Sequence, residues 1–95
     1  MPKGYIVVTE DIKDPEGFQK YMKAAAATMT AGVGILAVDP KPEVLEGDWG
    51  GQSIIMEFDS VEAAREWYHS PEYQAAAVLR RAAADCKVAI LRGLG

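Results

Sequence analysis

Few residues of this chain are suited to acid–base chemistry. Glu57 stands inside the run Ile54-Ile55-Met56-Glu57-Phe58, where a carboxylate interrupts an otherwise apolar strand. By strand alternation it shares a face with Ser53 and Ile55, while Ile54, Met56 and Phe58 point the other way. If both faces are covered, this carboxylate must be paired, hydrogen-bonded or protonated. Arg80, on the same face of a predicted helix as Tyr73 and Ala77, is the candidate partner. Two readings of Glu57 follow. It is either a structural ion pair or edge carboxylate, or a pocket carboxylate of raised pKa that acts as a base.

Tyr21, Trp67, Tyr68 and Tyr73 fall at helical spacing and are expected to pack over the sheet, as core or as the rim of a cavity. Trp49 lies in the turn Gly47-Asp48-Trp49-Gly50-Gly51 and reads as a lid over a pocket or an interface anchor. With Glu57 and Arg80, these five aromatics make up the candidate ligand-binding set. The glycines around Trp49 lead into a strand, not a helix, so a phosphate loop is rejected. His69, the single histidine, is three residues from both Glu66 and Glu72. However, Ser70-Pro71 breaks the helix between them, and one imidazole is too few for a stable metal site. His69 reads as a helix C-terminal cation. With no Ser-His-Asp or Cys-His arrangement to propose, neither a metal nor a cofactor is expected.

These residues need a scaffold, and the totals bound it. The chain has 95 residues, which suits one domain spanning 1–95, small enough to need good packing or a partner. The formal net charge of -4 offers no basic footprint, so neither nucleic acid nor a membrane surface is an expected partner. No signal-peptide core or membrane-spanning run is read, and Cys86 is alone, so the expected compartment is the cytoplasm.

Tyr5 to Thr9 reads as a first strand. Asp14-Pro15-Glu16 starts a helix with an N-cap carboxylate, a proline at the first position and an acid at the dipole's positive end. That helix is expected to run to about Thr30 and to stop at Ala31-Gly32. Val33 to Val38 forms a second strand, followed by Pro40, Pro42 and a short extended piece, Glu43 to Glu46. Gln52 to Phe58 is a third strand. Ser60 caps a helix carrying Val61, Ala64, Trp67 and Tyr68 at core spacing, and Ser70-Pro71-Glu72 starts a further helix to about Ala84. Lys87 to Leu91 closes the chain as a strand.

This order is the split βαβ of a ferredoxin-like α+β fold: an antiparallel sheet with helices on one face. Its strands, however, are apolar on both faces, as in Ile6-Val7-Val8 and Val88-Ala89-Ile90-Leu91. A second face left in water would exceed the few hundred Å2 of apolar patch usual on monomers. A homodimer joined through sheet faces is therefore expected.

Over nearly its whole length the chain resembles the bacterial family named domain of unknown function 1330. The stretches that carry the likeness are KGYIVVTEDIKDPEGFQKYMKAAAA, KPEVLEGDW, IIMEFDSVEAAREWYHSPEYQAA and LRRAAAD. The resemblance implies a ferredoxin-like domain that pairs into a dimeric α/β barrel. Related barrels include cofactor-independent monooxygenases, muconolactone isomerases and stress-response proteins. Two functions are thus expected as alternatives. One is binding of a small hydrophobic or aromatic molecule between sheet and helices. The other is a cofactor-independent monooxygenase, isomerase or lyase acting on a small organic substrate, with Glu57 or a tyrosine handling protons.

Overall fold

The computed structural model describes residues 2–30 and 32–94; Ala31, expected at the end of the first helix, lies outside the described residues, as do Met1 and Gly95. In chain order the elements are β1 (Gly4–Ile12), α1 (Pro15–Ala26), β2 (Gly34–Asp39), β3 (Gln52–Phe58), α2 (Val61–His69), α3 (Pro71–Ala83) and β4 (Ala84–Arg92). The four strands form one sheet in the order β2-β3-β1-β4, with every neighbouring pair antiparallel. This is the ferredoxin-like α+β arrangement that the element order predicts.

The helix starts follow their sequence signals. The Asp14 carboxylate accepts from the Gly17 N–H (3.2 Å), and Pro15 opens α1. Ser60 Oγ accepts from the Ala63 N–H at 3.0 Å. At the joint between α2 and α3, the Ser70 hydroxyl works in both directions. It donates to the Trp67 carbonyl (2.8 Å), which also accepts the Ser70 backbone N–H (3.2 Å), and accepts from the Tyr73 N–H (3.2 Å), which α3 leaves unpaired.

Several boundaries differ from expectation: β1 runs on to Ile12, past the expected end at Thr9. α1 ends at Ala26, not near Thr30, because the Thr28 hydroxyl (2.6 Å) and N–H (3.0 Å) both bond to the Ala25 carbonyl and tighten the chain out of the α-helix. β4 begins at Ala84, with no loop after α3. There the Ala83 carbonyl accepts the N–H groups of both Lys13 (2.8 Å) and Asp14 (3.0 Å), pinning the end of α3 to the turn after β1. The expected extended piece at Glu43–Glu46 joins no strand, since it follows two prolines that cannot donate to a ladder.

The helices lie on one face of the sheet. Ile6, Val8, Met56 and Phe58 are buried there against Ala25, Ala64, Trp67, Tyr73 and Ala77. Phe18, Ala83 and Ala84 close the other end. On the opposite face no helix covers the strands, and Ile55 and Leu91 are 37% and 51% exposed.

The Ser70 joint sets the angle at which two core aromatics meet. Replacing Ser70 by Ala should lower unfolding free energy by about 1–2 kcal/mol, as loss of an N-cap does. Denaturant titration measures this, and an unchanged midpoint would contradict the assigned role.

Candidate functional site

Alternation along β1 sends Ile6, Val8 and Glu10 beneath the helices. Glu10 is only 1% exposed, among the most buried side chains described. The register sets Glu10 opposite Gln52 on β3 and Cys86 on β4. Gln52 Nε2 donates to Glu10 Oε2 at 3.0 Å. Burial pushes the Glu10 carboxyl above its ordinary value, against the smaller opposing pull of the Gln52 hydrogen bond and the Arg80 charge. No cation forms a contact ion pair with Glu10 among the described residues.

Above Glu10 the helices bring three tyrosines and a tryptophan together. The hydroxyls of Tyr21 on α1 and Tyr73 on α3 share a hydrogen bond of 2.8 Å. Burial first, and then this shared bond, raises the Tyr21 phenol far above its ordinary value; burial likewise raises Tyr73. The rings of Trp67 and Tyr73 lie 4.1 Å apart, and Tyr68 packs on Tyr73 at 5.6 Å. Trp67 Nε1 donates to Thr28 Oγ1 (3.1 Å), so the residue that ends α1 also orients the indole. Arg80 is 4% exposed, and its Nε–H meets no acceptor.

A cavity of about 250 Å3 lies between α1 and the sheet. Phe18, Tyr21, Met56 and Trp67 form much of its wall, and Glu10 is the one ionisable carboxylate on it. Its mouth runs along the edge strand, where Met22, Ile35 and Val38 are 46%, 50% and 52% exposed. Such a space accepts an apolar body and offers it one polar contact.

The structure thus groups five of the seven residues expected to bind ligand: Tyr21, Trp67, Tyr68, Tyr73 and Arg80 all lie on the helix side. The other two do not join them. Glu57 is on the uncovered face, where it accepts from the Tyr5 hydroxyl (3.2 Å) and lies 3.8 Å from Lys3 Nζ. The expected Glu57–Arg80 pair is therefore corrected. Arg80 belongs to a helix packed on the other side of the sheet, and the parity that joins Glu57 to Ile55 takes it away from that helix. Trp49 is on the uncovered face too, half-exposed, with Nε1 donating to Ser53 Oγ at 2.8 Å. Sequence reasoning missed Glu10 because the first strand was ended at Thr9. The signal was present: Ile6, Val8 and Glu10 continue one alternation. His69 is exposed at the end of α2, and among the described residues no three His, Cys, Asp or Glu side chains gather as a metal site. No helix among them is long and apolar enough to cross a membrane.

Fold and site define an α+β domain of the ferredoxin-like class with a one-sided helical layer. A family model described as domain of unknown function (DUF1330) matches residues 3–94, and the chain belongs to that family. No curated protein matches it. Among solved structures it is similar to the methylated RPA0582 protein (TM-score 0.77, 20% identity, 99% of this chain and 82% of that one). RPA0582 is described as a protein of unknown function from Rhodopseudomonas palustris. A dimeric ferredoxin-like protein of unknown function from Thermobifida fusca is also similar (0.67, 11%, 96% and 91%). So is SnoaB, a cofactor-independent oxygenase from Streptomyces nogalater (0.66, 14%, 100% and 96%). At these identities the likeness establishes the fold.

The raised pKa of Glu10 has a definite sign in stability. The folded state holds this proton more tightly than the unfolded chain does. The stability contributed is complete below the unfolded value and is lost as pH rises through the folded one. As pH rises above about 4, where an unfolded glutamate ionises, the wild type should therefore lose stability relative to Glu10→Gln, which keeps an acceptor for Gln52 but has no charge to bury. Parallel stability curves for the two proteins would contradict the burial of an ionisable Glu10.

Proposed function

We propose that this protein is a homodimer that binds a small, mostly apolar organic molecule between α1 and the sheet, with Glu10 as the polar contact. The observation that carries this reading is the cavity itself. It is apolar along most of its wall, open beside the edge strand, and bears a buried carboxylate. A buried carboxylate costs stability unless something recovers the loss, and recognition of a ligand hydroxyl or other donor is a standard reason to keep one. Tyr21 and Trp67 line the same space, while Tyr68, Tyr73 and Arg80 support it from behind.

Pairing through sheet faces is supported by the uncovered face, where Val7, Ile55, Ala89 and Leu91 have no helix above them. Similar structures from Thermobifida fusca and Bacteroides fragilis are described as dimeric. In such a pair Trp49 and Glu57 belong to the interface and not to the ligand. A cytoplasmic location agrees with the lone, half-buried Cys86.

A second reading, cofactor-independent catalysis on the same ligand class, is favoured by one observation. Burial raises the proton affinity of Glu10, and an ionised carboxylate in that setting is a stronger base than one in water. The oxygenase description of SnoaB gives this reading a structural parallel.

Thermal denaturation with a panel of neutral phenols and small aromatics tests the binding site. A ligand at about a hundred times its Kd adds about 2.7 kcal/mol, which in a domain of this size is a shift on the order of 10 °C. Ala26 is exposed and lines the cavity. Ala26→Trp should fill it and abolish the shift while leaving the unliganded midpoint close to wild type. An equal shift in both proteins would place the ligand elsewhere.

A further inference from the structure

A second cleft, of about 490 Å3, lies between α3 and β4 and is not the cavity that holds Glu10. Tyr68, Arg80, Arg81, Asp85, Cys86 and Val88 line it. Arg80 presents an unsolved electrostatic problem there. As a residue Arg80 is 4% exposed, with Nε fully buried, and a guanidinium held that far from water ordinarily needs a contacting anion, because desolvation outweighs anything weaker. Among the described residues no carboxylate lies within ion-pair distance of Arg80, and its Nε–H meets no acceptor. Glu10 acts on it only as a charge at longer range.

The surroundings of Arg80 are built and not incidental. Gln74 Nε2 donates to the Tyr68 carbonyl at 2.7 Å, and Gln74 Oε1 accepts from Arg81 NH2 at 3.0 Å. One amide thus ties the end of α2 to the second arginine and holds it beside Tyr68. Asp85, the carboxylate in the cleft, pairs with Lys13 at 3.0 Å. With that pair neutral and Glu10 ionised, Arg80 and Arg81 leave one positive charge without a partner.

We infer that Arg80, Arg81 and the Tyr68 hydroxyl form an anion site in this cleft, and that its ligand is the carboxylate of a small organic acid whose apolar body rests on Val88 and Ala84. A planar carboxylate matches the guanidinium fork, and its single charge matches the excess. A dianion such as phosphate carries one charge more than this excess and meets the repulsion of Glu10, and fits less well. The same positive charges act on Tyr68: burial alone raises its phenol, but Arg81 and Arg80 outweigh this and bring it below its ordinary value. A bound carboxylate screens those charges and returns the phenol upward.

Calorimetry on the whole chain tests the site with benzoate as probe, benzyl alcohol as its neutral analogue and inorganic phosphate as the competing anion. Benzoate should bind more tightly than either. Arg81→Gln, at an exposed position that does not threaten folding, should weaken benzoate about tenfold, the worth of one charge-assisted hydrogen bond. Ultraviolet titration should show benzoate delaying the ionisation of one tyrosine in the wild type and having no such effect in Tyr68→Phe. Ala26→Trp should leave benzoate binding intact, which separates this cleft from the apolar cavity. The site is overturned if benzoate does not bind at millimolar concentration, if benzyl alcohol binds equally well, or if Arg81→Gln binds like the wild type. Phosphate binding tighter than benzoate overturns the assignment to a carboxylate.

Discussion

The rest of this structure depends on one constraint: a single layer of helices covers one face of a four-stranded sheet. Because side chains alternate along a strand, this cover sorts residues by parity. On β1, Ile6, Val8 and Glu10 go beneath the helices, and Tyr5, Val7 and Thr9 go to the other face. Two glutamates show the consequence. Glu57 is in a more apolar sequence than Glu10, yet it keeps Tyr5 and Lys3 for partners on the uncovered face. Glu10, near the end of a strand that turns acidic at Asp11, is almost completely buried. Parity, and not local hydrophobicity, decides which carboxylate is buried.

The segment EWYHSPEYQ serves this layer as a joint. Its serine satisfies an orphan carbonyl on one helix and an orphan amide on the next, so the chain turns without losing backbone hydrogen bonds. The turn sets Trp67 against Tyr73 and Tyr68 beside the arginines of α3. The imidazole at the joint faces water, and the aromatics on either side of it do the packing. α1 completes the arrangement. By stopping at Ala26 it lets Thr28 reach the Trp67 indole, and the Tyr21 hydroxyl shares a hydrogen bond with that of Tyr73. Most polar side chains of the interior are thus connected pairwise; among the described residues, Thr9 Oγ1 and Arg80 Nε are buried without a partner.

Much of the fold was legible in the sequence because its signals are local. Asp14-Pro15, Ser60 and Ser70-Pro71 mark helix starts by short-range hydrogen bonding, and the third strand falls at Gln52–Phe58 as its apolar run indicates. The homes of the aromatics on α1, α2 and α3 follow from helical spacing. What was not legible depends on neighbours distant in sequence. β1 and β4 extend beyond their apolar cores because Asp11 and Ile12 pair with Asp85 and Ala84, a register that no local pattern announces. The same extension carries Glu10 into the sheet, opposite Gln52 and Cys86. Helix periodicity puts Arg80 on the face shared with Tyr73 and Ala77 but carries no information about which side of the sheet that helix covers, and that side is not the one Glu57 faces.

The one-sided cover leaves Val7, Ile55, Ala89 and Leu91 facing away from every helix, and a second copy of the sheet is the occupant this account assigns to them. Multi-angle light scattering across a dilution series tests that assignment most directly, with Ile55→Asp as the control for the uncovered face. The account predicts twice the mass of the chain for wild type into the micromolar range and a single-chain mass for the variant. A wild-type mass equal to one chain, or a variant that remains paired, would contradict it.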